Sequence, residues 1–323
     1  MFIPGTNTIS KRAKASFFLV PFFIMLIMLT SCEDFFLSEA ENIDIPGSEP
    51  QLAVFSFISP QDSLIKVYAE WSRPYSQHPS QDETLGGDAD VYIAKKGEDF
   101  VPLTWDSELK AFTVLGSVFP VEAGFEYVLK VESHTGVQVE AECFVPGFEV
   151  AGVEIGQPEI GNDEYGDRVI RYDWLVAAPG DGKERYFRSA TTLYSCTNWN
   201  NNPDEPYCYN NPIWLERGNE LFQDDTGDSY AFRAEYWGYF DMGGDNPGNP
   251  NNLEQTDSIF VHVLQTDYNY YRFHQSVENY YYHDDDFPFS EAVHIYSNVD
   301  GGLGTFGGFN GMKYLVIASV QEK

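Results

Sequence analysis

The stretch EYVLKVESHTGVQVEAECFV, residues 126–145, decides the fold class. In both halves apolar side chains alternate with charged or polar ones, which is the period of a half-buried β-strand. The triplet HTG between the halves is typical of a turn, so the stretch predicts a β-hairpin. Cys143 is in phase with Ala141 and Val145, and we therefore expect its thiol to point into a core as a small apolar group.

The same alternation continues towards the N-terminus. LAVFSFIS (52–59) predicts a buried strand, LIKVYAEW (64–71) a strand with one apolar face, and DADVYIAKKGEDFVPLTW (88–105) a second hairpin. Several short strands without a helical pattern between them predict an immunoglobulin-like antiparallel β-sandwich over residues 51–147. Pro146-Gly147 marks its expected end.

Residues 148–323 are predicted to form a second antiparallel β domain, sandwich or barrel-like, with one helix. Its expected strands include RVIRYDWLVAA, ERYFRSATTLYSC, SYAFRAEYWGYF and DSIFVHVLQ, and AVHIYSNV can supply a strand before the glycine-rich stretch. The helix is predicted over TDYNYYRFHQSVENYYY (266–282), with Thr266 as its cap and Tyr270 and Phe273 on the side that packs against a sheet.

A G-x-G-x-x-G pattern at Gly302, Gly304 and Gly307 raises the question of nucleotide binding. A dinucleotide site needs a helix directly after the glycines and a further strand beyond it. Here GFNGMKYLVIASV follows, a β-rich run that ends close to Lys323. We therefore assign the glycines to turns, bulges and close backbone approach, with Phe306 and Phe309 anchoring the segment in the core.

The N-terminus carries targeting signals. A basic segment precedes the apolar run SFFLVPFFIMLIMLT, which is too short for a comfortable membrane span and is followed by Ser31-Cys32. Leu29-Thr30-Ser31-Cys32 resembles the bacterial lipobox, so residues 1–31 are predicted to be a removed signal peptide and Cys32 to carry the lipid. The acidic segment 32–50 is predicted to be a flexible tether. The alternative is an ordinary membrane anchor or cleavable signal with a chance cysteine.

Charge narrows the range of partners. The chain has 50 Asp and Glu against 19 Lys and Arg, and the residues after Ser31 keep 16 of those cations and all the acids, a formal charge of −34. Such a field disfavours nucleic acid and anionic lipid as partners. It suits a solvated acidic surface, and it also suits cationic ligands. Glu33 and Asp34 resemble the signal that sends lipoproteins of the Bacteroidota to the outer face of the outer membrane.

The loop between Cys196 and Cys208 contains the sequence's most suggestive binding features. A disulfide between these two cysteines, expected in an oxidising compartment, would remove roughly 3 kcal/mol of loop entropy from the unfolded chain. Four aromatic residues in and beside this loop, among asparagines, are candidate sugar- or peptide-binding residues: Trp199, Tyr207, Tyr209 and Trp214. A loop that folds its aromatics inward is the equal alternative.

Catalytic and metal patterns are weak. The six histidines show no metalloprotease spacing, and the sequence contains no G-x-S-x-G motif. Asp224, Asp225 and Asp228 around Gly227 resemble a calcium loop without its spaced glutamate, which favours a β-turn over a metal site. We therefore predict a protein that is not an enzyme and has no cofactor.

Taken together, the lipobox at Cys32, LAVFSFISPQDS, FVPG and above all PFSEAVHIYSNVDGGLGTFGGFNG resemble the Bacteroidota lipoproteins of domain-of-unknown-function family 4249. The resemblance covers nearly the whole chain after the signal peptide and supplies no catalytic residues. It implies a lipid-anchored outer-membrane protein whose relatives accompany TonB-dependent receptors.

The function expected from these features is a surface-exposed accessory protein that binds a nutrient ligand beside such a receptor. An adhesin or structural surface protein is the alternative, and a glycan- or peptide-acting hydrolase is the third possibility.

Overall fold

Nineteen β-strands and one α-helix make up the part of the chain that the computed structural model describes. The structure describes residues 49–73, 85–162, 165–166, 168–197, 207–224, 226–237, 256–284 and 294–318. The predicted signal peptide, Cys32 and the tether up to residue 48 lie outside these ranges. The described residues from Pro50 onward belong to one compact unit.

Eight strands form the first two-layered region. They are β1 (Leu52–Ile58), β2 (Leu64–Trp71), β3 (Ala89–Lys95), β4 (Val101–Pro102), β5 (Thr104–Asp106), β6 (Ala111–Leu115), β7 (Phe125–Ser133) and β8 (Gln138–Val145). One layer runs β5–β6–β2–β1 and the other β4–β3–β7–β8. β7 and β8 are the predicted hairpin and pair antiparallel. The inward residues of both layers form one core, which contains Cys143 as predicted.

The second region adds nine strands before the helix. They are β9 (Gly152–Ile155), β10 (Glu159–Asn162), β11 (Arg168–Ala177), β12 (Arg185–Thr197), β13 (Tyr207–Ile213), β14 (Leu215–Arg217), β15 (Leu221–Asp224), β16 (Ser229–Trp237) and β17 (Thr256–Thr266). The sheet β10–β11–β16–β14, with β9 on β11, faces β12 and β17 across a second core. Trp174 stacks on Phe232 at 5.3 Å between ring centroids in this core. The mainly β fold class is confirmed, and the second region is built of facing sheets.

The last strand connects the two regions. β19 (Leu303–Ala318) pairs antiparallel with β17 over its second half and parallel with β1 over its first half. The result is a nine-stranded sheet that extends from β13 through β12, β17, β19 and β1 to β5, with β15 beside β12. Sequence patterns predicted only antiparallel pairing, and this parallel pair joins segments from opposite ends of the chain.

The glycine-rich stretch lies within β19, and β19 continues as a strand to Ala318 with no helix after Gly307. Gly304 has a φ of +104°, and a Cβ atom there would overlap the carbonyl oxygen of Val54 in β1. At Gly308, a Cβ atom would overlap the carbonyl oxygen of Phe144. Phe306 is fully buried in the first core. Close backbone approach, as predicted, is therefore the physical role of these glycines.

The helix α1 (Tyr268–Asp284) covers the outer face of the nine-stranded sheet near β1 and β19. The Tyr270 ring lies 4.9 Å from that of Phe57, and the Phe273 ring lies 5.8 Å from Phe57, so the predicted aromatic contact with a sheet is confirmed. The predicted cap is wrong. Asp267 caps the helix, since its Oδ1 accepts the Tyr270 N–H at 2.8 Å, while the Thr266 hydroxyl has no hydrogen-bond partner.

The predicted strand AVHIYSNV is also wrong over its described part. Residues 294–298 form no strand, and β18 (Val299–Asp300) holds only the last residue of that stretch. Side chains hold the segment instead. The Asn298 amide donates to the carbonyls of Glu142 and Phe306, each at 2.9 Å, and its Oδ1 accepts the Phe306 N–H at 2.9 Å. Asn298 thus replaces ladder hydrogen bonds between β8 and β19, a competition that alternation alone does not reveal.

Two hydrophobic cores divide close to the predicted boundary at residue 147, although Val299 and Phe306 return to the first core from the end of the chain. The division into two domains stays a prediction. Among the described residues, no helix combines the length and apolarity needed to span a membrane.

Candidate ligand-binding cleft

An aromatic cleft opens where the chain crosses from one sheet to the other. β13 is an edge strand of the nine-stranded sheet, β14 is an edge strand of the facing sheet, and Trp214 lies between them. The cleft has a volume of about 660 Å³ and is lined by residues Asn211–Glu216 and Glu235–Trp237. Pro212 occupies the edge strand, a position where the missing N–H of proline costs no ladder hydrogen bond.

Alternation explains why Trp214 faces solvent. Ile213 is buried in the second core and Leu215 packs against it, so the residue between them points the other way. The Trp214 side chain is 81% exposed. A partner that covered this indole would gain roughly 25 cal/mol per Å² of apolar surface removed from water.

A second tryptophan faces the cleft for the same reason, the alternation of side chains along a strand. Tyr236 packs against the second core, and the next residue on β16, Trp237, therefore points outward and is 55% exposed. The sequence reasoning missed Trp237. The signal was present in SYAFRAEYWGYF, where Phe232, Ala234 and Tyr236 share the inward face and leave Trp237 on the other side.

Beside the cleft, the outer face of the β11–β16–β14 sheet carries a ladder of ion pairs. Arg233 makes two hydrogen bonds to Asp173, each at 2.8 Å, and its guanidinium lowers the pKa of that carboxyl. Arg171 donates to Glu235, and Arg217 lies 3.4 Å from Asp173. The same face also carries Glu154, Glu159 and Glu216, so an excess of carboxylates over arginines remains there. The cleft therefore presents aromatic surface next to paired charges with a small negative excess.

The other candidate aromatics do not join Trp214 in the described part of the cleft. Trp199 and the Tyr207 side chain lie outside the described residues, and Tyr209 is half-buried and is not among the lining residues. The predicted disulfide is present, since Cys196 and Cys208 face each other across β12 and β13 and are bonded. This bond fixes β13, the strand that leads to Trp214.

The aspartates of the candidate calcium loop serve a turn where the structure describes them. Asp224 is buried and its Oδ1 accepts the N–H groups of Thr226 at 3.3 Å and Gly227 at 2.8 Å. The exposed Asp228 accepts the Thr226 hydroxyl at 2.7 Å, and Asp225 lies outside the described residues. Within the described ranges, no three His, Cys, Asp or Glu side chains are grouped so as to hold a metal ion.

Two β regions joined by a continuous nine-stranded sheet, with an aromatic cleft at a sheet edge, define a mainly β protein. The chain belongs to the family described as a domain of unknown function (DUF4249), which matches residues 39–314. No curated protein matches it.

Proposed function

We propose that this protein is a lipid-anchored outer-membrane surface protein that binds a nutrient ligand in the Trp214–Trp237 cleft as an accessory of a TonB-dependent receptor. The observation that carries the binding role is the pair of solvent-facing indoles at the cleft. Flat aromatic surfaces stack on sugar rings and on peptide side chains, and exposed tryptophans are typical anchors of recognition sites.

Charge disfavours an anionic ligand. The arginines beside the cleft are all paired, and the two charged residues that line it, Glu216 and Glu235, are acids, so a polyanion gains nothing from the local field. A neutral saccharide is the ligand class that best combines stacking with hydrogen bonds to polar groups such as Asn211 and Glu216, both of which line the cleft. A neutral peptide is the second class.

The proposals of a lipid anchor and of a receptor partnership are based on the sequence. The lipobox places the lipid on Cys32, and the acidic residues behind it favour export to the cell surface. Radiolabelled palmitate is expected to enter the wild-type chain and not the Cys32→Ala variant. Incorporation into both would contradict the anchor.

The receptor partnership is tested in cells. After crosslinking and mild detergent extraction, the full-length protein is expected to co-purify with an outer-membrane TonB-dependent barrel, and its gene is expected beside that of the barrel. A clean monomer after the same treatment would contradict the partnership. If this monomer bound cells or extracellular matrix instead, the adhesin role would replace the proposed role as a receptor accessory.

A further inference from the structure

A second pocket lies at the junction of the two β regions, at the end of β12 that does not carry the disulfide. It has a volume of about 410 Å³ and is bordered by the end of β8, the start of β12, the end of β17 and the start of α1. This volume falls within the range of small-molecule sites and exceeds what a single ion needs. Neither the cleft nor the proposed function uses it.

A buried hydroxyl in its lining lacks a partner. Thr266 is only 3% exposed, lines the pocket, and its Oγ1 makes no hydrogen bond. Leaving a buried donor or acceptor unsatisfied costs roughly 1–3 kcal/mol. Because Asp267 performs the capping role that Thr266 would otherwise have, the free hydroxyl serves no helix end.

The charge of the lining is negative. Four carboxylates line the pocket, from Glu126, Glu142, Glu184 and Asp267, against one guanidinium, from Arg185. That guanidinium is already paired with carboxylates of the protein. It is 5% exposed, its Nη2 lies 2.6 Å from Glu149 and 2.8 Å from Asp181, and a ligand therefore meets little of its charge.

Lys96 compensates part of this charge from the rim. Its Nζ lies 2.6 Å from Glu142 and 3.2 Å from Glu126. The lysine side chain is half-exposed, so its ion pairs are of the weak, solvent-screened kind that a better-placed cation can replace. The Glu184 carboxylate accepts the Gln223 amide, a neutral partner that leaves its charge in place.

Aromatic rings complete the wall. Phe144, Tyr186 and Tyr268 line the same pocket, and the rings of the two tyrosines lie 5.4 Å apart at 64°. Ring faces attract organic cations, and carboxylates beside them supply the opposite charge. A directly coordinated metal is a poor fit, because the described residues hold no group of three metal-ligating side chains.

We propose that this pocket binds a small organic ammonium ion that carries a hydroxyl group, of about the size of an amino sugar. The ammonium lies against the tyrosine rings and the Glu142 and Glu184 carboxylates, and a ligand hydroxyl pairs with the Thr266 Oγ1. This inference is independent of the saccharide site at Trp214.

Calorimetric titration of the full-length protein in detergent tests the inference with glucosamine as the probe and glucose as the uncharged match. Glucosamine is expected to bind at low salt and glucose to bind at least about tenfold more weakly at this site, a difference of about 1.4 kcal/mol. Added salt is expected to weaken glucosamine binding, since part of the attraction is between charges.

Variants locate the site. Thr266→Val keeps the side-chain shape and is expected to weaken glucosamine binding about tenfold, whereas Thr266→Ser keeps the hydroxyl and the affinity. Glu142→Gln is expected to weaken binding, and Glu108→Gln, an exposed acid on another surface, to leave it unchanged. Trp214→Ala is expected to have no effect here, which separates this pocket from the cleft.

Three outcomes would overturn the proposal. The first is an absence of glucosamine binding by the folded wild-type protein at low salt. The second is binding of glucosamine by Thr266→Val and by Glu142→Gln that is as tight as binding by the wild type. The third is displacement of the probe by calcium ions at an equal concentration, which would make the site one for a metal.

Discussion

Gly304 of β19 lies directly against the backbone of Val54 in β1, its partner in the parallel register, so closely that the Val54 carbonyl oxygen fills the space of a Cβ atom. This contact joins the end of the chain to its first strand. It gives the glycine-rich stretch, the segment on which the family resemblance chiefly rests, a structural role at the centre of the nine-stranded sheet.

Gly304→Ala is expected to destabilise the protein by more than about 3 kcal/mol or to prevent folding, because the new methyl overlaps a carbonyl and the φ of +104° is strained for alanine. Gly152→Ala is the matched control. It lies in β9 with no atom within 4 Å of an added Cβ, and is expected to be neutral or slightly stabilising. Denaturant unfolding measures both, and equal midpoints would contradict the assignment.

Because Asp267 caps the helix, substitutions at Asp267 and at its neighbour Thr266 are expected to change stability in different ways. Asp267→Ala removes the acceptor of the Tyr270 and Phe144 N–H groups and is expected to cost about 1–2 kcal/mol or more. Thr266→Val removes only the unpartnered hydroxyl and is expected to be neutral or stabilising. If thermal unfolding showed the larger loss for Thr266→Val, the cap would belong to Thr266 after all.

Asp267 also gives stability a defined pH dependence. Burial raises the pKa of its carboxyl to about 6 from 3.8, so the folded chain binds more protons than the unfolded one between these values. The contribution of Asp267 is therefore full below the unfolded pKa and lost as pH rises through the folded one. Relative to Asp267→Asn, the wild type is expected to gain about 2 kcal/mol on going from about pH 7 to about pH 4.

Two partly buried histidines act in the other direction. Burial lowers the pKa of His262 to about 4 and that of His274 to about 3, so acid destabilises both the wild type and Asp267→Asn through these groups. Their effect cancels in the difference between wild type and Asp267→Asn. Unfolding at a series of pH values gives that difference, and a flat or reversed curve would contradict the raised pKa of Asp267.

A buried hydrogen bond between Trp174 and Ser189 in the second core is expected to contribute to the free energy of unfolding. The Trp174 indole N–H donates to the Ser189 hydroxyl at 2.8 Å, and both residues are buried. Ser189→Ala leaves that N–H unsatisfied and is expected to cost about 1–3 kcal/mol. Ser229→Ala, at an exposed position of β16, is the control and is expected to stay within about 0.5 kcal/mol of wild type.

Period-two alternation predicted most of the strands, because half-buried strands such as β2, β8 and β11 place apolar residues on one face only. The pairing of β1 with β19 was beyond reach, since no local pattern links residues about 250 positions apart. Likewise, the choice of Asp267 over Thr266 as cap and the role of Asn298 depend on side-chain geometry set by tertiary packing.

Only part of the candidate site could be predicted from the sequence. Trp214 was identified from its neighbours in sequence, and the disulfide from its spacing. Trp237 was missed because the faces of its predicted strand were not assigned, and the cleft exists only because β13 and β14 lie on different sheets.

Calorimetric titration of neutral oligosaccharides and neutral peptides into the full-length protein in detergent tests the central claim most directly. The wild type and Tyr281→Ala, which removes an exposed aromatic on α1, are expected to bind the same ligand alike. Trp214→Ala and Trp237→Ala are each expected to bind at least about tenfold more weakly, the loss typical of an indole anchor. Unchanged affinity in both tryptophan variants would contradict the cleft as the binding site.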